Sequence, residues 1–153
     1  MKRLLFLEDN ISGIATIVIR LRNHGIECLV SPDLNAWKAE ITRAGDSKFS
    51  LLILDDNLFY ESTLEKVGAQ NIATNGGSIA GSKLAKLIRS ADAPDWLKGY
   101  KDTPIIIYSV HSERTIKSVI GELSNIFVFE KLRDENLDDL MVEKCIELAG
   151  DAL

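Results

Sequence analysis

The stretch Phe49-Ser50-Leu51-Leu52-Ile53-Leu54-Asp55-Asp56-Asn57 constrains this chain more than any other. A short apolar run, broken only by Ser50, leads straight into two adjacent carboxylates. Continuous rather than alternating hydrophobicity is what a strand buried on both faces requires, and such strands belong to parallel sheets covered by helices. In open α/β sheets the ligand sites lie beyond the carboxyl ends of the strands. Asp55 and Asp56 are therefore expected at that edge.

The rest of the chain repeats the pattern. Leu4 to Leu7 is a second apolar run, and it also ends in paired acids, Glu8 and Asp9. Ile11, Ile14, Ala15, Ile17, Val18 and Leu21 recur at helical spacing, with Gly25 as the stop. Ile26 to Val30 suits a strand, and Ser31-Pro32-Asp33 starts a helix with Leu34, Trp37 and Ile41 on one face. Ser78 to Arg89 reads as helix, Thr103 to Ser109 as a β-branched strand, and Ser112 to Leu123 as helix. Ile126 to Phe129 is a fifth strand, followed by Glu130-Lys131, and Asp134 is placed to cap a last helix using Leu137, Leu140, Met141, Cys145 and Leu148. Five alternations of strand and helix, with right-handed crossovers, specify a doubly wound five-stranded parallel sheet. The expected strand order is the flavodoxin-like 2-1-3-4-5, with helices on both faces.

One segment breaks the rhythm. Leu58 to Gly77 has no strong period and ends in the loop signal Asn75-Gly76-Gly77. Ser62-Thr63-Leu64-Glu65 has the form of a capping box for a helix of about two turns. We read residues 1–153 as a single domain, with 58–77 inserted between the third strand and the third helix. Because it starts beside the acids, the insertion is expected to cover them in part or to form a partner surface; the plainer reading is a tolerated surface loop. Trp96 and Tyr100, in the polar connection 91–102, are expected at the opposite edge of the sheet.

Composition excludes several function classes. There are 23 acidic against 18 basic residues, a net charge of -5, which argues against a nucleic-acid partner. Met1-Lys2-Arg3 precedes only four apolar residues, so no signal peptide is expected, and no apolar run is long enough for a bilayer. The expected setting is the cytoplasm, away from membranes. Cys28 and Cys145 are isolated and lack metal-ligand spacing, so they read as buried free thiols. His24, just before a helix-ending glycine, suits the helix C-terminus better than a ligand site.

At the carboxyl edge the expected neighbours are Glu8, Asp9, Asp55, Asp56, Ser109 and Lys131. Several carboxylates in one place cannot all stay ionised without a cation. All-oxygen donors suit Mg²⁺, which keeps several waters and often bridges to phosphate. A hydroxyl and a lysine can hold phosphoryl oxygens while one carboxylate attacks phosphorus. One of these carboxylates would be the nucleophile, and Asp56 beside Asp55 reads as a solvated loop acid.

At this point the chain resembles the response-regulator receiver domains of two-component signalling, with a fold like that of the chemotaxis regulators. The matching stretches are Leu5-Phe6-Leu7-Glu8-Asp9-Asn10, Leu51-Leu52-Ile53-Leu54-Asp55, Thr103 through His111, and Phe129-Glu130-Lys131. The resemblance implies Asp55 as phosphoacceptor and Glu8 and Asp9 as the acidic pair that organises Mg²⁺. It adds the Asn57 carbonyl, together with Asp55, to the metal ligands. Ser109 would hydrogen-bond the phosphoryl group, and Lys131 would pair with acceptor or phosphoryl. Asn57 and His111 take the positions whose side chains tune acyl-phosphate lifetime in the family. Four features depart from the pattern. Val110 replaces Ala or Gly, and Leu132 replaces the proline after the lysine, so the Lys131-Leu132 bond is expected trans. Val128 stands at the switch-aromatic position between Phe127 and Phe129, and the insertion replaces a short loop.

The expected function is a stand-alone receiver. A histidine kinase or phosphotransfer protein would phosphorylate Asp55 with Mg²⁺, and the output would be altered binding to a downstream protein. Catalysis would be limited to self-phosphorylation and autodephosphorylation, so the protein would not be a turnover enzyme. The final helix and its neighbouring face are where the family commonly forms homodimers or binds targets. The alternative is a pseudo-receiver that acts unphosphorylated as an interaction module. A Mg²⁺-dependent phosphohydrolase or nuclease is a weaker third, since adjacent acids on a strand point apart.

Overall fold

Strands that are apolar on both faces can only be satisfied between two layers of helix, and that is the arrangement found. The structure, a computed structural model, describes residues 2–58, 61–131 and 136–150, with the backbone alone at 70 and 71. In chain order the elements are β1 (Arg3–Leu7), α1 (Ala15–Asn23), β2 (Glu27–Ser31), α2 (Leu34–Ala44), β3 (Leu51–Asp55), β4 (Thr63–Leu64), β5 (Ala69–Ala73), α3 (Ala80–Arg89), β6 (Ile105–Ser109), α4 (Glu113–Ile120), β7 (Ile126–Glu130) and α5 (Leu137–Gly150). The main sheet is parallel throughout, in the order β2-β1-β3-β6-β7. Leaving aside β4 and β5, this is the expected 2-1-3-4-5 order.

The two-residue period of a strand divides the core. Leu5, Leu7, Leu52, Leu54, Ile105 and Ile107 point towards α2, α3 and α4, where they meet Trp37, Leu84 and Ile116. Leu4, Phe6, Leu51, Ile53 and Ile106 point the other way, against Ile17 and Leu21 of α1 and Met141 and Cys145 of α5. Burying a side chain of this size contributes about 1.5–3 kcal/mol. Both cysteines are free and buried, and burial pushes the Cys28 thiol up to about 12.

Local chemistry adjusts several boundaries. The helix expected from Ile11 begins as a 3₁₀ turn over 11–14, because the Asn10 side chain accepts from Gly13 N at 3.3 Å and from Ser12 Oγ at 3.0 Å. Asp33 caps α2 by accepting from Ala36 N at 2.8 Å, and Ser112 caps α4 by accepting from Thr115 N at 3.2 Å. Asp134, expected to cap α5, and Leu132 lie outside the described residues.

At the amino edge of the sheet, Tyr100 and Trp96 sit as expected. Phe49 N donates to the Tyr100 hydroxyl at 3.2 Å, and Trp96 meets Trp37 edge-on. Arg89, at the end of α3, ties this edge together. Its guanidinium donates to the carbonyls of Ser124, Tyr100, Thr103 and Asn125 at 3.2, 3.3, 2.6 and 3.0 Å. No methylene chain can replace that fork. Arg89→Met should cost about 2–4 kcal/mol, since several carbonyls lose a charged donor together. Urea denaturation would read this as a lower midpoint at unchanged slope; a loss below about 1 kcal/mol would show that water replaces the guanidinium.

The insertion differs from its expected form. Instead of two helical turns, β4 and β5 pair antiparallel, joined by a single 3₁₀ turn at 65–67 and Gly68 at φ +90°. Thr63 Oγ1 accepts from Glu65 N at 3.3 Å, a local turn that competes with a helical capping box. The hairpin is anchored. Leu58, Leu64 and Val67 are buried in the core beneath α2 and α3. Thr74 is fully buried; its hydroxyl donates to the Glu61 carbonyl and accepts from Gly77 N at 3.0 Å. Buried Glu61 pairs with Lys66 at 2.7 Å, and Leu58 N donates to the Gly77 carbonyl at 2.8 Å, closing the stem.

Candidate functional site

Parallel pairing brings the strand ends into line. Leu7 lies beside Leu54, Asp55 beside Tyr108, and Ser109 beside Glu130. The residues that follow each strand therefore gather at one edge. Carboxylate oxygens of Glu8, Asp9 and Asp55 all lie within 4.8 Å of one another. Glu8 and Asp55 are almost wholly buried, whereas Asp9 is exposed.

Lys131 closes the cluster. Its Nζ lies 2.9 Å from Glu8 Oε2 and 3.3 Å from Asp55 Oδ1. It also sits 5.1 Å above the Tyr108 ring, whose π face favours a cation. The lysine is placed through its backbone, because Lys131 N donates to the Ser109 carbonyl at 2.7 Å. Two backbone amides hold the acids. Asn10 N donates to Glu8 Oε1 at 3.1 Å, and Asn57 N donates to Asp55 Oδ1 at 3.2 Å.

Electrostatics marks this as a site short of positive charge. Burial, followed by the charge of Glu8, pushes the Asp55 carboxyl up to about 8 despite the pull of Lys131. Burial alone would lower the Lys131 pKa, but Asp55 and Glu8 more than reverse that and raise it. One lysine cannot neutralise three carboxylates. The all-oxygen donor set and the cost of ionising it fit a hard divalent cation, with Glu8, Asp9 and Asp55 as the side chains that could hold it.

The other expected residues lie close by, with different partners. Ser109 is fully buried, and its Oγ accepts from His111 N at 3.0 Å. The His111 ring then donates through Nε2 to the Ser78 carbonyl at 2.8 Å, joining the loop after β6 to the end of the insertion. Val110 is 52% exposed. Among the described residues, no hydrogen bond or ion pair links 61–76 to Glu8, Asp55 or Lys131; the hairpin lies on the α2 and α3 side.

Asp56 is not a solvated loop acid. It is fully buried, its Oδ1 accepts from Ser82 N at 2.7 Å, and its carbonyl accepts from Ala80 N at 2.8 Å. Burial raises its pKa, although Ser82 and the nearby His111 work against that. Oδ2 has no hydrogen-bond partner, and neither has the buried Ser82 hydroxyl. Strand alternation sends Asp55 to the cluster and its neighbour to the first turn of α3, where an N-terminus favours an acid. Gly81 makes the contact closer still: a Cβ there would lie 2.3 Å from the Asp55 carbonyl oxygen. Sequence reading missed this clamp, although the small residues Ala80-Gly81-Ser82 were a signal for close approach.

Comparison with solved structures follows this geometry. The chain aligns with chemotaxis protein CheY4 of Vibrio cholerae at a TM-score of 0.62 and 16% identity, covering 97% of this chain and 98% of that one. The receiver domain of the Francisella response regulator 1452 aligns over 100% of both chains, at a TM-score of 0.61 and 16% identity. This chain has the receiver-domain fold. A third receiver-fold match is the response regulator TrrA of Thermotoga maritima, in a structure with Mg²⁺-BeF. Its TM-score is 0.54 at 21% identity, with 97% of this chain and 99% of that one covered. No family model and no curated protein sequence matches the chain.

Proposed function

We propose that this protein is a phosphorylatable receiver whose acceptor is Asp55. The observation that carries the reading is the cluster of Glu8, Asp9 and Asp55 oxygens within 4.8 Å, with Lys131 reaching both buried acids. Asn57 N and Lys131 hold Oδ1 of Asp55, which leaves Oδ2 as the attacking oxygen. In the step, a donor N–P bond on a phosphohistidine breaks as the Asp55 O–P bond forms, giving an acyl phosphate. Asp55 must be ionised for this, and Lys131 favours that form. Lys131 is also positioned to take a phosphoryl oxygen. Ser109 would donate its hydroxyl to another after releasing His111 N.

With the carbonyl of Asn57 as a further ligand in this reading, Glu8, Asp9 and Asp55 would hold Mg²⁺. When bound, it lets the carboxylates ionise together and neutralises charge on the phosphoryl oxygens. The Mg²⁺-BeF complex of the Thermotoga receiver supports this assignment by fold likeness. We take the donor to be a histidine kinase or phosphotransfer protein and the output to be altered binding of a downstream protein. Turnover of an external substrate plays no part in this reading. Among the described residues no helix is long and apolar enough to cross a membrane, and we place the protein in the cytoplasm.

Acetyl phosphate with Mg²⁺ should add one phosphoryl group by intact mass to the wild type and to Asp56→Asn, but none to Asp55→Asn. Omitting Mg²⁺ should abolish the gain. A gain lost only in Asp56→Asn would move the acceptor, and no gain in the wild type would favour an unphosphorylated interaction module.

A further inference from the structure

The insertion and α3 enclose a cleft of about 240 Å³, lined by Ile72, Lys83, Lys86, Leu87, Ser90 and Asp92. We propose that this cleft docks a short acidic segment of a partner protein that carries an apolar residue at its centre. Its volume is below the ~300–1,000 Å³ of typical small-molecule sites, so it suits one or two anchoring side chains.

Three observations define the occupant. The wall is fixed, because Leu64, Val67, Thr74 and the Glu61–Lys66 pair hold the hairpin that carries Ile72. The floor is apolar: Leu87 belongs to the main core, and half-buried Ile72 packs against it. The rim is cationic and unsatisfied. Lys66, Lys98, Lys117, Lys131 and Lys144 each have a carboxylate within 3.2 Å. The ammonium groups of half-buried Lys83 and exposed Lys86 have neither an ion pair nor a hydrogen bond among the described residues.

In a chain with excess acid, two bare ammonium groups beside an apolar floor complement a carboxylate-bearing segment. Asp92 sets the direction. Acidic residues of the partner would lie over Lys83 and Lys86, and its other end would carry a donor or cation facing Asp92. Docking as such does not depend on the acceptor reading. Its regulation does, because Lys83 follows directly on Gly81 and Ser82, which rest on Asp55 and Asp56.

Panning a random-peptide display library on the full chain tests the proposal. Enriched sequences should be rich in Asp and Glu around an apolar residue. Binding of the consensus peptide, followed by fluorescence anisotropy, should fall at least ~10-fold in Lys83→Glu/Lys86→Glu and weaken as salt rises. Ile72→Ala should also weaken it, while Asp55→Asn should retain it, which separates this test from failure of the acceptor reading. Circular dichroism would verify that each variant folds. Absence of enrichment, enrichment without acidic bias, or undiminished binding by the double variant would overturn the proposal.

Discussion

At about pH 8 and without metal, Asp55→Asn should be more stable than the wild type by roughly 2–4 kcal/mol, and the two should converge near pH 4. The Asp55 carboxyl is pushed up to about 8 in the fold, while an unfolded chain returns it to about 3.9. Between those values the folded state keeps a proton that the unfolded state releases. Stability is therefore fully present below about pH 4 and is lost as pH rises through about 8, at no more than ~1.4 kcal/mol per unit. Asn removes the ionisation and keeps the shape. Mg²⁺ should restore stability to the wild type at the upper end of this range and do little for the variant. Urea denaturation across the range, with and without Mg²⁺, measures both effects. Parallel pH profiles for the two proteins would show that Asp55 does not hold the proton.

Gly81→Ala should be the most damaging small substitution at the site. In an ordinary helix interior, Ala in place of Gly gains about 1 kcal/mol. Here the new Cβ would lie 2.3 Å from the Asp55 oxygen, 2.8 Å from its carbonyl carbon and 3.1 Å from Asp56 Cα. All three are backbone atoms, so no side chain can swing aside, and either α3 or the end of β3 must move. We expect a loss of about 2–4 kcal/mol, reversing the propensity effect, and at least ~10-fold weaker Mg²⁺ binding. Denaturation and isothermal titration would read the two effects separately. A neutral or stabilised variant would show that α3 is free to lift off the acceptor peptide.

The sheet was readable because its strands are short apolar runs that end abruptly in charge. Leu4 to Asp9 and Leu51 to Asp56 carry both the structural signal and the site residues in single stretches. Lys131 follows its strand in the same way. Contacts between distant residues were not readable. Nothing beside Asp56 in sequence distinguishes it from Asp55; burial comes from Ser82, brought back by the turn into α3. Arg89 looks like any basic residue near a helix end until four carbonyls from two separate connections converge on it. The hairpin was missed because Ala69-Gln70-Asn71-Ile72-Ala73 has neither alternation nor β-branched enrichment. Its strands are fixed by Thr74, Glu61 and Gly68 rather than by their own propensity.

The closed stem at Leu58 and Gly77 bears on which parts of the segment between β3 and α3 can change. Chain that leaves and re-enters a fold at one point can be acquired without disturbing the register of any strand, which makes such junctions natural places for grafting. Leu64 and Val67 are both wholly buried in the main core, so the segment is not peripheral to the fold. Excision would leave a hole between α2 and α3. The segment is therefore a structural dependency, and its outer face can be reshaped far more easily than the whole can be removed.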